Sequence, residues 1–174
     1  MKLKYIVLDI ETTGLNPCDN TITCICTRDS DGYEYGGFVG KNFSEAGLIE
    51  DILKNMCDKN PDFIVTKNGK QFDVPFIITR LPTMGTWLRD IKHIDLQEIT
   101  KGRVKLDDMA TLMGLENKSG EAKDAINLFF NKKYRELMNY CKQDVRVTEQ
   151  VYLKWLNTQK RQGILSYKAQ EAKE

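Results

Sequence analysis

The sequence carries almost no excess charge of either sign. Twenty-six Lys and Arg residues against 25 Asp and Glu give a formal net charge of +1, so there is no global basic signature of nucleic-acid binding. A local basic patch beside an acidic, metal-loaded site would not need one. Long apolar runs are also missing, and none approaches the roughly 18 residues that cross a membrane. The opening segment, Met1 to Asp9, reaches an acid too soon for a secretory signal, so the expected location is cytoplasmic. Five cysteines is an odd number, which does not suit a disulfide framework. Cys18, Cys24 and Cys26 fall close together, but Cys57 is distant and His93 is the sole histidine, so zinc-site spacing is missing. Cys24 and Cys26 read instead as small core residues on one face of a strand. Without repeats, low-complexity tracts or a linker, residues 1–160 are expected to form one domain and 161–174 a polar, fraying tail. Lys154, Lys160, Arg161, Lys168 and Lys173 thicken the charge there, as a solvated face and tail would.

What is present is an alternation of strand and helix patterns. Tyr5 to Ile10 is a nearly continuous apolar run ending in acid, as in a buried central strand. Thr21–Thr27 and Tyr33–Val39 read as strands of a hairpin turning at Arg28–Gly32. Ser44 is placed to cap a helix to about Asp58, with Leu48, Ile49, Ile52, Leu53 and Met56 inside. Asp62–Thr66 and Ile91–Leu96 read as two more strands. Between them a helix carries Phe76, Ile77 and Leu81, with Pro75 in its first turn. Helices are expected over Leu106–Met113 and Glu121–Phe130, joined by the loop from Gly114 to Gly120, and then over about Lys133–Gln159. Three strands followed by two that alternate with helices give an α/β fold, a mixed five-stranded sheet flanked by helices.

Three short segments carry the chemistry. Asp9 and Glu11 stand two apart on a strand, so their side chains share a face while Ile10 points to the other. The following Thr12, Thr13 and Gly14 let the backbone approach a ligand at a turn. Asp73 follows a strand and the turn Asn68–Gly69, near a helix start, where ligands gather in open α/β sheets. Tyr140 and Asp144 lie four apart on a helix and therefore on one face. They flank the core stripe Met138, Cys141, Val145, Thr148, Tyr152 and Trp155. Each pattern alone also fits an ordinary strand end, a helix N-terminal acid, or an acid paired with lysine or arginine. Together they gather four carboxylates, which repel one another unless cations hold them. Two Mg²⁺ or Mn²⁺ ions in such a cluster cut phosphodiester bonds.

In these three segments the chain resembles the DnaQ-like 3′–5′ exonucleases of ribonuclease H-like fold, in the branch ending Tyr-x-x-x-Asp. Asn68 to Asp73 and Tyr140 to Val145 are especially similar to small stand-alone exonucleases related to the editing domain of family B DNA polymerases. The resemblance covers roughly residues 3 to 156. It implies that Asp9 bridges two metal ions and that Glu11 and Asp144 hold mainly the nucleophile-side ion. Asp73 would act on the other ion or from one layer further out, and Tyr140 would orient the attacking water. It also implies that Thr12, Thr13, Gly14 and Leu15 hold the terminal nucleotide, with Asn68, Gly69 and Phe72 gripping the strand. The partner would be single-stranded DNA or RNA with a free 3′ end, and the product a nucleoside 5′-monophosphate.

The sister branch uses a histidine where this chain has Asn139, and His93 has nothing nearby to complete a catalytic pair. Asp95, Asp107, Asp108 and Asp124 are read as capping or surface acids, with Asp95 the one that a strand end could bring behind the site. Rival readings are a silent nucleic-acid-binding module, a ribonuclease H-like endonuclease, and an aspartyl phosphatase, which Glu11 fits poorly.

Overall fold

The computed structural model describes residues 3–100, 103–115, 122–161 and 163. Its frame is a five-stranded sheet ordered β3-β2-β1-β4-β5: β1 (Tyr5–Thr12), β2 (Ile22–Asp29), β3 (Glu34–Phe38), β4 (Phe63–Thr66) and β5 (His93–Asp95). β1 to β3 form the antiparallel meander, and β4 and β5 run parallel to β1. Gly32, at φ 88°, turns the hairpin, and the Asp29 carboxylate receives the Asp31 and Tyr33 amides there.

α1 (Glu45–Lys59) is capped by Ser44, whose hydroxyl accepts the Gly47 amide at 3.1 Å. It buries the five apolar residues expected of it. α2 (Asp73–Arg80) follows β4 and is succeeded by two one-turn helices, α3 (Pro82–Gly85) and α4 (Trp87–Asp90). A 3₁₀ turn, Leu96–Ile99, leads towards α5 (Leu106–Leu112), α6 (Ala122–Phe130) and the long α7 (Tyr134–Arg161). The expected loop beyond residue 115, the helix start at Glu121, and the tail with Lys168 and Lys173 lie outside the described residues. No helix among the described residues is long and apolar enough to cross a membrane.

The sheet divides the core in two. Ile6, Leu8, Ile10, Ile25 and Ile64 pack with α1 and α2 on one face. Tyr5, Val7, Cys24, Cys26 and Val65 pack with α7 on the other. A polar network helps dock α7: buried Glu149 accepts from the Tyr5 hydroxyl at 3.0 Å and from Arg28 Nε at 2.6 Å. Arg28 and Arg146 in turn both reach Glu34.

Candidate active site

β1 places Asp9 and Glu11 on the α7 side of the sheet, continuing the face of Tyr5 and Val7, while Ile10 is buried in the opposite layer. A shift in the β1–β2 register falls between Glu11 and Thr12, as the strand leaves the sheet. The Asp9 and Glu11 carboxylates and the Cys141 sulfur lie within 4.8 Å of one another. The Cys141 thiol donates to Asp9 Oδ2 at 3.5 Å.

Asp73 opens α2 and is buried, its Oδ1 accepting the Ile10 amide at 3.1 Å. That bond ties the start of α2 to the end of β1. The turn before it is closely built. Asn68 sits in the left-handed region at φ 65°, a conformation asparagine tolerates better than most residues. A Cβ at Gly69 would run into the Thr66 side chain. Asp95, expected among the capping or surface acids, does cap the 3₁₀ turn through the Gln97 amide at 2.9 Å. It is also buried, and receives the Asn68 and Lys70 amides at 2.7 and 2.9 Å. It therefore holds the loop that delivers Asp73.

Tyr140 and Asp144 project from successive turns of α7 beside its buried stripe. Asp144 Oδ1 is buried with no hydrogen-bond partner. Such an oxygen is costly unless something positive meets it. The four carboxylates are all pushed well above the usual range for their kind. For Asp9 the cause is burial, then Glu11, Asp144 and Asp73; for Glu11 it is burial, then Asp144 and Asp73. Burial pushes Asp73 up to about 7, against the opposing pull of backbone hydrogen bonds. Burial and then Asp107 push Asp144 up to about 7. Burial, then Asp144, Glu11, Asp9 and Asp107, raise the Tyr140 phenol, so it keeps its proton. Asp107, expected as a capping or surface acid, stands in the first turn of α5, and it is also half-buried and near enough to act on both Asp144 and Tyr140.

All five of these side chains line one cleft of ≈ 270 Å³, with Thr12, Gly14, Leu15 and Phe72. Leu15 stands at its lip, 83% exposed, and Phe72 lies edge-on to Phe76. A second cleft of ≈ 400 Å³ shares Leu15, Lys67 and Phe72 and adds Asn68, Arg103 and Lys105. Thr13 and Gly69 line neither cleft. The Thr13 hydroxyl is engaged with Asn20 and the Thr21 amide, and Gly69 packs on Thr66. In the first cleft Lys67 and Ile126 were not singled out from the sequence, nor were Arg103 and Lys105 in the second. Lys67, whose pKa burial lowers, directly follows a strand end and was findable on that ground. Ile126 on α6 had no signal to distinguish it from core. His93 shares a 2.7 Å hydrogen bond with Thr66 and lines neither cleft.

A family model described as the RNase_H superfamily matches residues 6–157. The DNA polymerase of Pyrococcus glycovorans is 29% identical over 126 residues, covering 61% of this chain and 16% of that protein. DNA polymerase 1 of Pyrococcus abyssi is 32% identical over 74 residues, 37% of this chain and 10% of that protein. Among solved structures, the family B DNA polymerase from the hyperthermophilic archaeon Pyrobaculum calidifontis superposes with a TM-score of 0.73 at 21% identity. That match covers 91% of this chain and 25% of the polymerase chain, and it is a likeness of fold. The chain thus spans a small part of the length of the polymerases it matches.

Proposed function

The chain belongs to the RNase_H superfamily, and on that premise we propose that residues 1–160 form a metal-dependent 3′–5′ exonuclease domain acting on single-stranded nucleic acid. The observation that carries this reading is the convergence of Asp9, Glu11, Asp73, Asp144 and Tyr140 on one cleft. The DNA polymerases among its relatives favour DNA as substrate.

Asp9, Glu11, Asp73 and Asp144 would hold two Mg²⁺ or Mn²⁺ ions. Hard oxygen donors suit these cations, and the orphaned Asp144 Oδ1 and the upward pKa shifts fit a cluster that cations would relieve. When bound, such ions lower the pKa of an attacking water and stabilise charge on the departing 3′ oxygen. Tyr140 keeps its proton and so orients the water by hydrogen bonding instead of acting as a base. Leu15 and Phe72 offer apolar faces to the terminal bases, a contact that tolerates any base. Lys67, Arg103 and Lys105 line the adjoining cleft, where a backbone running away from the 3′ end meets positive charge. Asp95 is a positioning residue for the Asn68–Asp73 turn. The product is a nucleoside 5′-monophosphate.

The test uses 5′-labelled single-stranded DNA and RNA with Mg²⁺ or Mn²⁺. A ladder shortening from the 3′ end, abolished by EDTA, is the expected result, and its rate on the two strands ranks the sugars. Internal cuts without end trimming would point to an endonuclease. No cleavage by folded protein with either metal would favour a silent binding module.

A further inference from the structure

Behind the acidic cleft, on the same side of the sheet, lies a cluster of sulfur that the proposed nuclease chemistry does not use. Cys24 and Cys26 point from β2 towards α7, and Cys141 points back from α7. All three thiols are free and fully buried, and their sulfurs lie within 4.8 Å of one another. Cys24 and Cys26 are 4.0 Å apart. The Met138 thioether, one turn before Cys141, stands 3.8 Å from Cys24 Sγ and 3.4 Å from Cys26 Sγ. Four sulfurs from two elements distant in sequence therefore gather between β2 and α7.

Metal–thiolate bonds of about 2.3 Å hold thiolates on a shared ion roughly 3.8–4.0 Å apart. The Cys24–Cys26 separation already matches that edge, and Cys141 needs only a small shift to complete the triangle. We propose that Cys24, Cys26 and Cys141, with Met138 as a neutral fourth donor, form a binding site for a thiophilic divalent cation, Zn²⁺ or Cd²⁺. Thiolate and thioether sulfur select such ions, whereas Mg²⁺ takes oxygen. Two sites of opposite hardness thus stand back to back. Three thiolates on a divalent ion leave one net negative charge, whereas a monovalent ion would leave two in the same buried place, which is costlier. The sites touch at Cys141, whose sulfur is 3.5 Å from Asp9 Oδ2. The exposed Cys18, which neighbours Cys24 in sequence, takes no part.

The test titrates Cd²⁺ into the 174-residue chain, stripped of thiophilic metals and held in excess Mg²⁺, so that oxygen ligands are occupied. Ultraviolet thiolate-to-cadmium absorbance and native mass are followed together. One Cd²⁺ per chain with a thiolate band is expected, unchanged in the Cys18→Ser/Cys57→Ser double variant. Cys26→Ser should weaken binding at least about tenfold. Cadmium-113 NMR of the unaltered chain should give a resonance in the sulfur-rich range, and it decides the matter even if Cys26→Ser does not fold. No thiolate band, a band lost with Cys18 and Cys57, or an oxygen-range resonance would each overturn the site. None of these readings depends on nuclease activity, so its failure and that of the exonuclease reading are separable.

Discussion

Asp144 shows most directly what single residues contribute. One of its oxygens is buried without a hydrogen-bond partner, and both it and Asp73 keep their protons up to about pH 7. In an unfolded chain the same groups ionise near pH 4. Between those values the folded state binds more protons, so stability falls as pH rises. Each tenfold change in proton affinity is worth about 1.4 kcal/mol. His93, whose pKa burial lowers, and Cys26, whose thiol is pulled down by hydrogen bonds with Cys141 and Cys24, oppose the trend with one proton each, against the four raised carboxyls. Metal-free protein is therefore expected to melt at a higher temperature at pH 5 than at pH 8, with Mg²⁺ narrowing the gap. Calorimetry in EDTA and in Mg²⁺ at both pH values checks this, and a flat or rising profile in EDTA would contradict it. Tyr140→Phe should fold normally and lose on the order of 10²-fold in kcat, through a mispositioned water. An unchanged single-turnover rate would remove Tyr140 from the chemistry. At this scale the sequence showed the Asp9–Glu11 pair because strand alternation is strict. It hid the influence of Asp107, because a helix-start acid looks the same whether it faces water or a cleft.

At the scale of elements, two pieces set the site: the β4–α2 turn and the docking of α7. Asp95→Ala removes the acceptor for three amides and should cost about 3 kcal/mol, as hydrogen bonds to a buried charge do. It should also slow hydrolysis by loosening the turn before Asp73. Chemical denaturation and rate assays on the same preparation check both, and Asp95→Asn should retain part of each. A loss below 1 kcal/mol on the order expected of a surface site would mean the turn holds without it. Long elements were readable because many periods repeat: α7, expected from Lys133 to Gln159, runs Tyr134–Arg161. The one-turn helices α3 and α4 contain too few residues for any period to show. Asp95's second role was hidden because its partners are backbone amides distant in sequence.

For the molecule as a whole, a sheet with parallel β1 and β4 side by side brings the ends of both strands to one edge, and the acidic cleft opens there. The mixed five-stranded α/β architecture expected from the order of patterns is the one observed. The meeting of Cys141 with Cys24 and Cys26 was invisible in sequence, since only the packing of α7 on β2 creates it. The near-neutral total charge also concealed the basic lining of the second cleft. Single-strand binding should weaken with added salt, with a log–log slope of about 0.7 per phosphate contact. Replacing Lys67, Arg103 and Lys105 together by alanine should reduce that slope by roughly 2, measured by fluorescence anisotropy in Ca²⁺. An unaltered slope would place the strand elsewhere.

The most direct measurement compares linear and circular single-stranded DNA of one sequence, incubated with Mg²⁺ and either wild-type or Asp9→Ala protein. Wild-type protein is expected to reduce the linear strand to nucleoside 5′-monophosphates and leave the circle intact, with the variant inert on both. Cleavage of the circle, or undiminished activity in Asp9→Ala, would contradict a carboxylate-held, metal-dependent exonuclease.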